Sequence, residues 1–208
     1  MIAGLGNPGS RYAETRHNAG FWFLGRLLET ASVLLRSQTR LKAETARTTL
    51  YDRDVVLAQP TTFMNHSGQA VRALADYYDI EPANLLVAYD ELDLPPGTAR
   101  LKDGGGHGGH NGVRDTVRHL GTPDFLRLRI GIGHPGNKDA VTRYVLSRSP
   151  AEQRTQIDAA IERALDVMPL VAAGRLGRKN GRGFYEYLET DPVTVRSKLH
   201  GPAAQPLR

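Results

Sequence analysis

The sequence predicts a domain of the α/β class, and three observations support that prediction. Short apolar runs alternate along the chain with segments in which apolar residues recur every three or four positions, as on one face of a helix. The runs are continuous, which is typical of strands covered on both faces of a sheet. At 208 residues, the chain suits one domain with room for a small appendage.

Three apolar runs are predicted to be buried strands, namely 2–5, 55–58 and 85–89. The stretch ARTTLYDRDVVLAQP predicts two strands joined by a tight turn at 52–54. In FLRLRIGIG, apolar residues alternate with Arg127 and Arg129, which predicts a strand with one polar face.

Helical stripes follow the strands. They begin after Asn18, Ser67 and Asn111, and Asn18 and Ser67 are predicted to cap the helices that follow them. A short helix is predicted within 137–146. The sequence SPAE at 149–152 predicts the capped start of a longer helix, which Pro169 should bend or end.

The composition limits the classes of function. The formal charge is +5 and the isoelectric point is near 9.6, a balance that favours a polyanionic partner. Cysteine is absent, which excludes disulfides, thiolate zinc sites and thiol catalysis. No apolar run approaches the length of a membrane span or a signal segment, so a cytoplasmic protein without a membrane partner is expected.

The last part of the chain has a different composition. From Gly174 onward seven basic residues outnumber three acidic ones, and no helical or strand period is evident. We therefore expect a domain over 1–174 and a basic tail, either ordered or flexible, over 175–208. Either a solvated tail or a nucleic-acid contact accounts for this composition.

The stretch GLGNPG, Gly4 to Gly9, fits the G-x-G-x-x-G pattern of dinucleotide-binding loops. In those loops the glycines lead directly into a helix and an acidic residue follows about 20 positions later. Here Pro8 lies inside the pattern, and the polar SRYAETRH separates it from the first helical stripe. The sequence does not favour a dinucleotide cofactor.

Polar residues follow each predicted buried strand, where ligands gather in open parallel sheets. Asn7, Tyr12 and His17 follow the first strand, Asn65 the second and Asp90 the third. A histidine and an aspartate so placed suit a general base and its orienting carboxylate. Without a cysteine or a G-x-S-x-G motif, water is the expected nucleophile, which indicates direct hydrolysis. The alternatives are that the histidine lies at the surface or a cap and that the aspartate serves a turn.

The stretch ARLKDGGGHGGHNG is rich in glycine and flanked by cations. Its glycines let backbone N–H groups approach an anion, and the helix that Asn111 opens adds its dipole. Arg100, Lys102, His107 and His110 surround them. A phosphate-contacting loop is the favoured interpretation. A plain flexible loop and a metal site on the two histidines are alternatives, the latter lacking a third ligand at clear spacing.

Four blocks of the sequence together resemble the bacterial-type peptidyl-tRNA hydrolases. They are GLGNPGSRYAETRHNAG, QPTTFMNHSGQAV, VAYDELDLPPGTARLKDGGGHGGHNGVRD and FLRLRIGIGHP, in the same order and spacing over residues 1 to about 173. The resemblance implies a single α/β domain around a mixed, mostly parallel sheet with helices on both faces. It also implies a monomer without metal or cofactor that cleaves the ester between peptide and tRNA, recycling tRNA from aborted translation.

The resemblance also implies roles for individual residues. His17 matches the catalytic histidine and Asp90 the aspartate paired with it. Asn7 and Asn65 match amides that hold the peptide backbone, and Asn111 matches a third amide near the terminal RNA nucleotides. Tyr12, Phe63 and Met64 match the peptide groove. Lys102 and Arg129 match a pair that grips the 5′ phosphate of the tRNA, with Arg100 nearby.

Two features depart from the family pattern. Arg100 stands where a lysine is common, which keeps the charge but alters the hydrogen-bond geometry. The segment after Gly174 is longer and more basic than the usual ending. Since some relatives bind RNA without hydrolysis, an RNA-binding module without turnover is the alternative function.

Overall fold

The computed structural model describes residues 1–174 and two short strands beyond them. One seven-stranded sheet is formed by β1 Ile2–Gly4, β2 Arg36–Gln38, β3 Ala43–Leu50, β4 Arg53–Pro60, β5 Leu86–Glu91, β6 Ala99–Asp103 and β7 Leu126–Gly131. The helices are α1 Ala19–Ala31, α2 Ser67–Tyr77, α3 Asn111–Leu120, α4 Val141–Val145 and α5 Ala151–Ala172. The later strands, β8 Tyr185–Tyr187 and β9 Val195–Ser197, pair with each other.

The sheet is parallel at its centre and antiparallel at its edges. In the order β2-β3-β4-β1-β5-β7-β6, the strands β4, β1, β5 and β7 are parallel neighbours. The pairs β2/β3, β3/β4 and β6/β7 are antiparallel. Because β2 is reversed twice relative to β4, five of the seven strands run in one direction. The predicted α/β class with a mixed, mostly parallel sheet is confirmed.

Strands β3 and β4 form the predicted hairpin. Their turn residues are Tyr51 and Asp52, with φ of 53° and 59°, and Leu50 pairs with Arg53. Two central residues with positive φ match the twist of the flanking strands. The turn lies slightly earlier than the sequence predicted, and Arg53 already belongs to β4.

Helices cover both faces of the sheet. Ala3 and Leu5 of the first strand segment belong to an apolar core that includes Val71 of α2 and Val113 of α3. Gly4, which lies between them and therefore points to the opposite face, lies against α1. Helices α2 and α3 thus pack on one face, and α1 packs on the other.

Two glycines allow α1 to approach the sheet closely. A Cβ atom on Gly4 would lie 2.4 Å from the carbonyl oxygen of Gly20, the second residue of α1. A Cβ atom on Gly20 would lie 2.3 Å from the carbonyl oxygen of Ala88 in β5. The first glycine of GLGNPG therefore serves helix packing.

Three predicted helix caps are wrong, because none of the side chains concerned bonds the first turn of its helix. Asn18 bonds the backbone of Asn7 and does not cap α1. Ser67 donates to the carbonyl of Met64, and its helix is capped from α3 by Asp115, which accepts the Gly68 N–H at 2.9 Å. The hydroxyl of Ser149 has no hydrogen-bond partner within the described residues.

The chain divides into two compact units, Met1–Leu165 and Asp166–Arg208. Helix α5 ends at Ala172, shortly after Pro169, as predicted. Apart from β8 and β9, which the sequence did not predict, residues 175–208 lie outside the described part of the chain, so the basic tail stays a prediction. Among the described helices, none combines the length and apolarity needed to cross a membrane.

Candidate active site

A groove of about 370 Å³ opens at the carboxyl ends of the central strands. It brings together all eight residues that the sequence predicted for catalysis and peptide binding. They are Asn7, Tyr12, His17, Phe63, Met64, Asn65, Asp90 and Asn111. The parallel arrangement of β4, β1 and β5 explains this convergence, because their carboxyl ends lie at one edge of the sheet.

His17 and Asp90 form a buried pair in this groove. His17 lies on a 3₁₀ turn, Arg16–Asn18, directly before α1, and Asp90 lies near the end of β5. The Nδ1 atom of His17 is 2.9 Å and 3.0 Å from the two carboxylate oxygens of Asp90. The side chain of Asp90 is 1% exposed and that of His17 is 11% exposed. The imidazole therefore has one ring nitrogen bound to the carboxylate and the other, Nε2, left for a ligand.

The pair perturbs the pKa of both members. Burial alone would lower the pKa of His17, but the charge of Asp90 and the hydrogen bond to it outweigh burial and raise that pKa. Burial alone would raise the pKa of Asp90, but His17 and His110 hold it well below its usual range. Because Asp90 is ionised and can only accept, the shared proton lies on Nδ1 of His17 and the lone pair of the neutral ring lies on Nε2.

Asn7 is held in place by hydrogen bonds to its side-chain oxygen and to its backbone. Its side-chain oxygen accepts the N–H of Met64 at 2.8 Å. Its backbone N–H and carbonyl are both bound by the side-chain amide of Asn18. The loop after β1 is thereby joined to the turn that carries Asn65, and the amide nitrogen of Asn7 remains available as a donor.

Aromatic side chains form one rim of the groove. The rings of Tyr12 and Phe63 meet edge to face with their centroids 6.1 Å apart, and Phe63 is 53% exposed. Met64 is buried beneath them. Asn65 and Asn111 are exposed, and the Asn111 oxygen accepts from Arg114. This rim suits an apolar side chain next to a polar backbone.

His110 also belongs to this site, although the sequence analysis placed it in the glycine-rich phosphate loop. Its Nε2 lies 3.0 Å from Asp90 Oδ1, and its Nδ1 accepts the N–H of Val113 at 3.2 Å. His110, and not Asn111, is therefore the N-cap residue of α3. The sequence signal was a histidine immediately before a helical stripe, but its approach to β5 required the fold.

The three predicted phosphate-binding cations lie outside the groove, on the antiparallel pair β6/β7. Arg100 lies directly opposite Arg129, and Lys102 lies opposite Arg127, so all four side chains point to one face. The Nε of Arg129 donates to Glu91 Oε2 at 2.9 Å. This pairing with Glu91 was not predicted.

Arg127 does not belong to an open polar face. The strand pattern predicted that it shares the exposed face of Arg129, but its side chain is fully buried. Its guanidinium donates to the carbonyls of Gly106 at 2.6 Å, Gly105 at 2.7 Å and Pro123 at 3.1 Å. Arg127 therefore holds the glycine loop in place.

Three potential metal ligands lie close together in the site. Ligand atoms of His17, Asp90 and His110 fall within 4.8 Å of one another. A histidine that ligates through Nε2 carries its proton on Nδ1. In His110, however, Nδ1 accepts a backbone N–H and so cannot carry that proton. The hydrogen bonds around this cluster do not match those of a metal centre. The metal site on His107 and His110 that the sequence left as an alternative involves a different set of residues from this cluster.

An α/β domain with a histidine–aspartate pair in a polar groove has the fold and site expected of a hydrolase that activates water. The chain belongs to the peptidyl-tRNA hydrolase family, whose profile matches residues 1–182. Since its relatives at about 50% identity carry the name of that enzyme, the chain is an enzyme of this family. The alternative of an RNA-binding module without turnover is not supported.

Named relatives and solved structures cover most of the chain. The peptidyl-tRNA hydrolase of Halorhodospira halophila is 53% identical over 178 residues, 86% of this chain and 92% of the relative. That of Neisseria meningitidis is 51% identical over 84% of this chain and 91% of the relative. The crystal structure of the Acinetobacter baumannii peptidyl-tRNA hydrolase matches with a TM-score of 0.82 at 46% identity, over 88% of this chain and 94% of that one.

Proposed function

We propose that the protein hydrolyses the ester that joins a peptide to the 3′ end of tRNA, with His17 as the general base. The observation that carries this proposal is the bond of His17 Nδ1 to both oxygens of Asp90, which leaves Nε2 as the acceptor in the groove. Asp90 orients the ring and stabilises the imidazolium that forms during the reaction.

The reaction follows from these positions. Nε2 of His17 takes a proton from water as the water oxygen bonds to the ester carbonyl carbon. The tetrahedral intermediate then collapses, the bond between the acyl carbon and the ribose oxygen breaks, and the imidazolium returns the proton to that oxygen. The products are a peptide with a free carboxylate and a tRNA with a free terminal hydroxyl.

The amides and aromatic rings bind the peptide in this proposal. Asn7, held by Met64 and Asn18, presents its amide nitrogen to a peptide carbonyl near the ester. Asn65 contacts the peptide backbone, and Asn111 positions water and the terminal nucleotide. In addition, Tyr12, Phe63 and Met64 form the surface for the adjacent side chain.

The cations on β6 and β7 bind the other end of the substrate. Lys102 and Arg129 are diagonal neighbours on one face of the sheet, with Arg100 directly opposite Arg129. Glu91 engages the Nε of Arg129, so the two terminal amino groups of this guanidinium are available to a phosphate. A 5′ phosphate monoester carries more charge than a backbone diester and is the proposed ligand.

We further propose that the protein acts in the cytoplasm, as a monomer and without a metal ion. The tautomer of His110 supports the last point, because its Nε2 carries a proton that a metal would have to displace. The residues 1–174 constitute the catalytic domain in this proposal, and 175–208 form a basic segment that adds to RNA binding.

Hydrolysis of N-acetylaminoacyl-tRNA, with free aminoacyl-tRNA as the unblocked comparison, tests the function. We expect turnover of the blocked substrate only. His17→Ala should reduce turnover by about 10²- to 10⁴-fold while leaving tRNA affinity close to that of the wild type, since phosphates dominate affinity. The matched control is His119→Ala, because His119 bonds a carbonyl within α3 and lies outside the groove. Full activity of His17→Ala would contradict the assignment.

The phosphate site has a separate test. Lys102→Ala and Arg129→Ala should each raise KM for 5′-phosphorylated peptidyl-tRNA and leave cleavage of a short acylaminoacyl-adenosine nearly unchanged. The double variant should lower the salt slope of tRNA binding by about two, since each neutralised phosphate releases about one counterion. Equal losses on both substrates would place these residues in the catalytic centre or the fold.

A further inference from the structure

His110 makes two hydrogen bonds at opposite edges of one buried ring. Its Nδ1 lies 3.2 Å from the backbone nitrogen of Val113, and its Nε2 lies 3.0 Å from Asp90 Oδ1. The side chain is 8% exposed. A backbone N–H can only donate, so Nδ1 of His110 must carry the lone pair. The ring proton is then on Nε2, and it is donated to Asp90.

Asp90 therefore receives N–H groups from two histidines. Its Oδ1 atom is shared by His17 and His110, at 2.9 Å and 3.0 Å. The side chain is almost fully buried, so little solvent stabilises its charge. A carboxylate oxygen that accepts a hydrogen bond from one ring stabilises a proton on the other ring less strongly. The two histidines therefore compete for the same negative charge.

We propose that His110 is a positioning residue for the hydrolysis: the N-terminus of α3 fixes its tautomer, and its Nε2–H orients Asp90 and limits how strongly Asp90 favours protonation of His17. This proposal rests on the function proposed above for His17. The consequence for the reaction is that more of the His17 base is free near neutral pH than Asp90 alone would allow.

The cap of α3 occupies the Nδ1 lone pair of His110. Protonation at Nδ1 would remove the acceptor for the Val113 N–H and leave the first turn of α3 without its side-chain cap. The bond to α3 therefore keeps the lone pair of His110 on Nδ1, whereas Nε2 of His17 faces the groove. The two histidines that share Asp90 therefore differ, because α3 binds the second ring nitrogen of His110 and not that of His17.

The other ionisable groups near His17 and His110 are unchanged by substitution of His110. The buried Tyr89 ring lies 4.8 Å from that of His110, and burial raises the pKa of its hydroxyl, which keeps it neutral. Glu91 is paired with Arg129, and Arg16 bonds the carbonyls of the segment after α4. His66, on the turn that carries Asn65, is exposed.

Two substitutions separate the two bonds of His110. In His110→Asn the side-chain oxygen takes the place of Nδ1 and keeps the α3 cap, but the side chain is too short to reach Asp90. In His110→Gln the amide nitrogen takes the place of Nε2 and keeps the donor to Asp90, but the cap is lost. The control is His119→Asn, which alters a histidine at the other end of the same helix.

The pH profile of kcat/KM on N-acetylaminoacyl-tRNA gives the first readout. His110→Asn should move the acid limb to higher pH by about half a unit to one unit, because Asp90 then acts on His17 alone. His110→Gln should keep the limb of the wild type and lower the melting midpoint by about 2–4 °C through loss of the cap. His119→Asn should leave the limb in place.

Histidine ¹⁵N NMR gives a readout that needs no activity. In the wild type at neutral pH, Nδ1 of His110 should be unprotonated and Nε2 protonated, and the pKa of His17 should rise in His110→Asn. A protonated Nδ1, or an unchanged His17 pKa in His110→Asn, overturns the proposal. Absence of hydrolysis in the wild type would overturn the proposed function, while this titration would still decide the role of His110.

Discussion

Replacement of Arg127 by methionine should loosen the glycine loop and impair the groove. The guanidinium of Arg127 makes three hydrogen bonds to the carbonyls of Gly105, Gly106 and Pro123, and it lies 4.6 Å above the ring of Phe125. Methionine fills a similar volume without strain but makes none of these bonds. The loop would then lose the contact that joins it to β7.

The expected cost follows from those contacts. Gly105 and Gly106 are exposed, so their carbonyls can bind water once the guanidinium is gone, and each lost bond costs about 1 kcal/mol. The total is about 3 kcal/mol, with a further contribution of about 0.5 kcal/mol from the aromatic contact. For a chain of this length the melting midpoint should fall by about 7–14 °C.

The loop also carries Gly108, Gly109 and His110 to the groove, so activity should fall as well. We expect kcat/KM to drop about tenfold or more, since small displacements of positioning groups are costly. The loss of kcat/KM should be equal for full-length peptidyl-tRNA and for a short acylaminoacyl-adenosine. Both substrates are assayed well below the melting midpoints of the wild type and of the variant. Arg53→Met, at an exposed arginine, is the control and should change stability by less than about 0.5 kcal/mol.

Two results would contradict this role of Arg127. An unchanged melting midpoint would mean that the buried guanidinium does not hold the loop. A loss confined to full-length tRNA would place Arg127 in the proposed phosphate site with Arg129.

Three further predictions concern the pair, the sheet and the tail. Asp90→Asn removes the charge that raises the pKa of His17, so the acid limb of kcat/KM should move to lower pH, and turnover should fall less than in His17→Ala; a limb that stays or rises contradicts the assignment. Gly20→Ala places a Cβ 2.3 Å from the Ala88 carbonyl oxygen and should cost about 3 kcal/mol or more, read by chemical denaturation; a wild-type midpoint would show that α1 shifts freely. Truncation after Leu176 should weaken tRNA binding modestly at low salt without changing single-turnover hydrolysis, and unchanged binding would favour a solvated tail.

Much of the active site was predictable because it depends on strand ends. The continuous apolar runs fixed which strands are buried, and polar residues that follow parallel strands meet at one edge of the sheet. His17, Asp90 and Asn65 could therefore be grouped before any distance was known. They lie in the groove because the carboxyl ends of parallel strands meet at one edge of the sheet.

Contacts between distant segments could not be predicted in this way. The sequence pattern placed Arg127 and Arg129 on one polar face, and both do lie on one face of β7, but only the fold shows that the glycine loop covers Arg127. In the same way Asn18 has the residue type of a cap, yet its amide is used by Asn7. Residue type states what a side chain can bond, and tertiary structure decides which partner is within reach.

By itself the sequence determined the α/β class and the family resemblance, because apolar periodicity and motif order are properties of the chain. The residues expected in the groove followed from the ends of the buried runs and from that resemblance. Only the tertiary structure decided that His110 donates to Asp90 and that Glu91 holds Arg129. Hydrogen bonds are lost within a few tenths of an ångström and depend on angle. The protonation and orientation of the His17–Asp90 pair therefore depend on packing that no local pattern specifies.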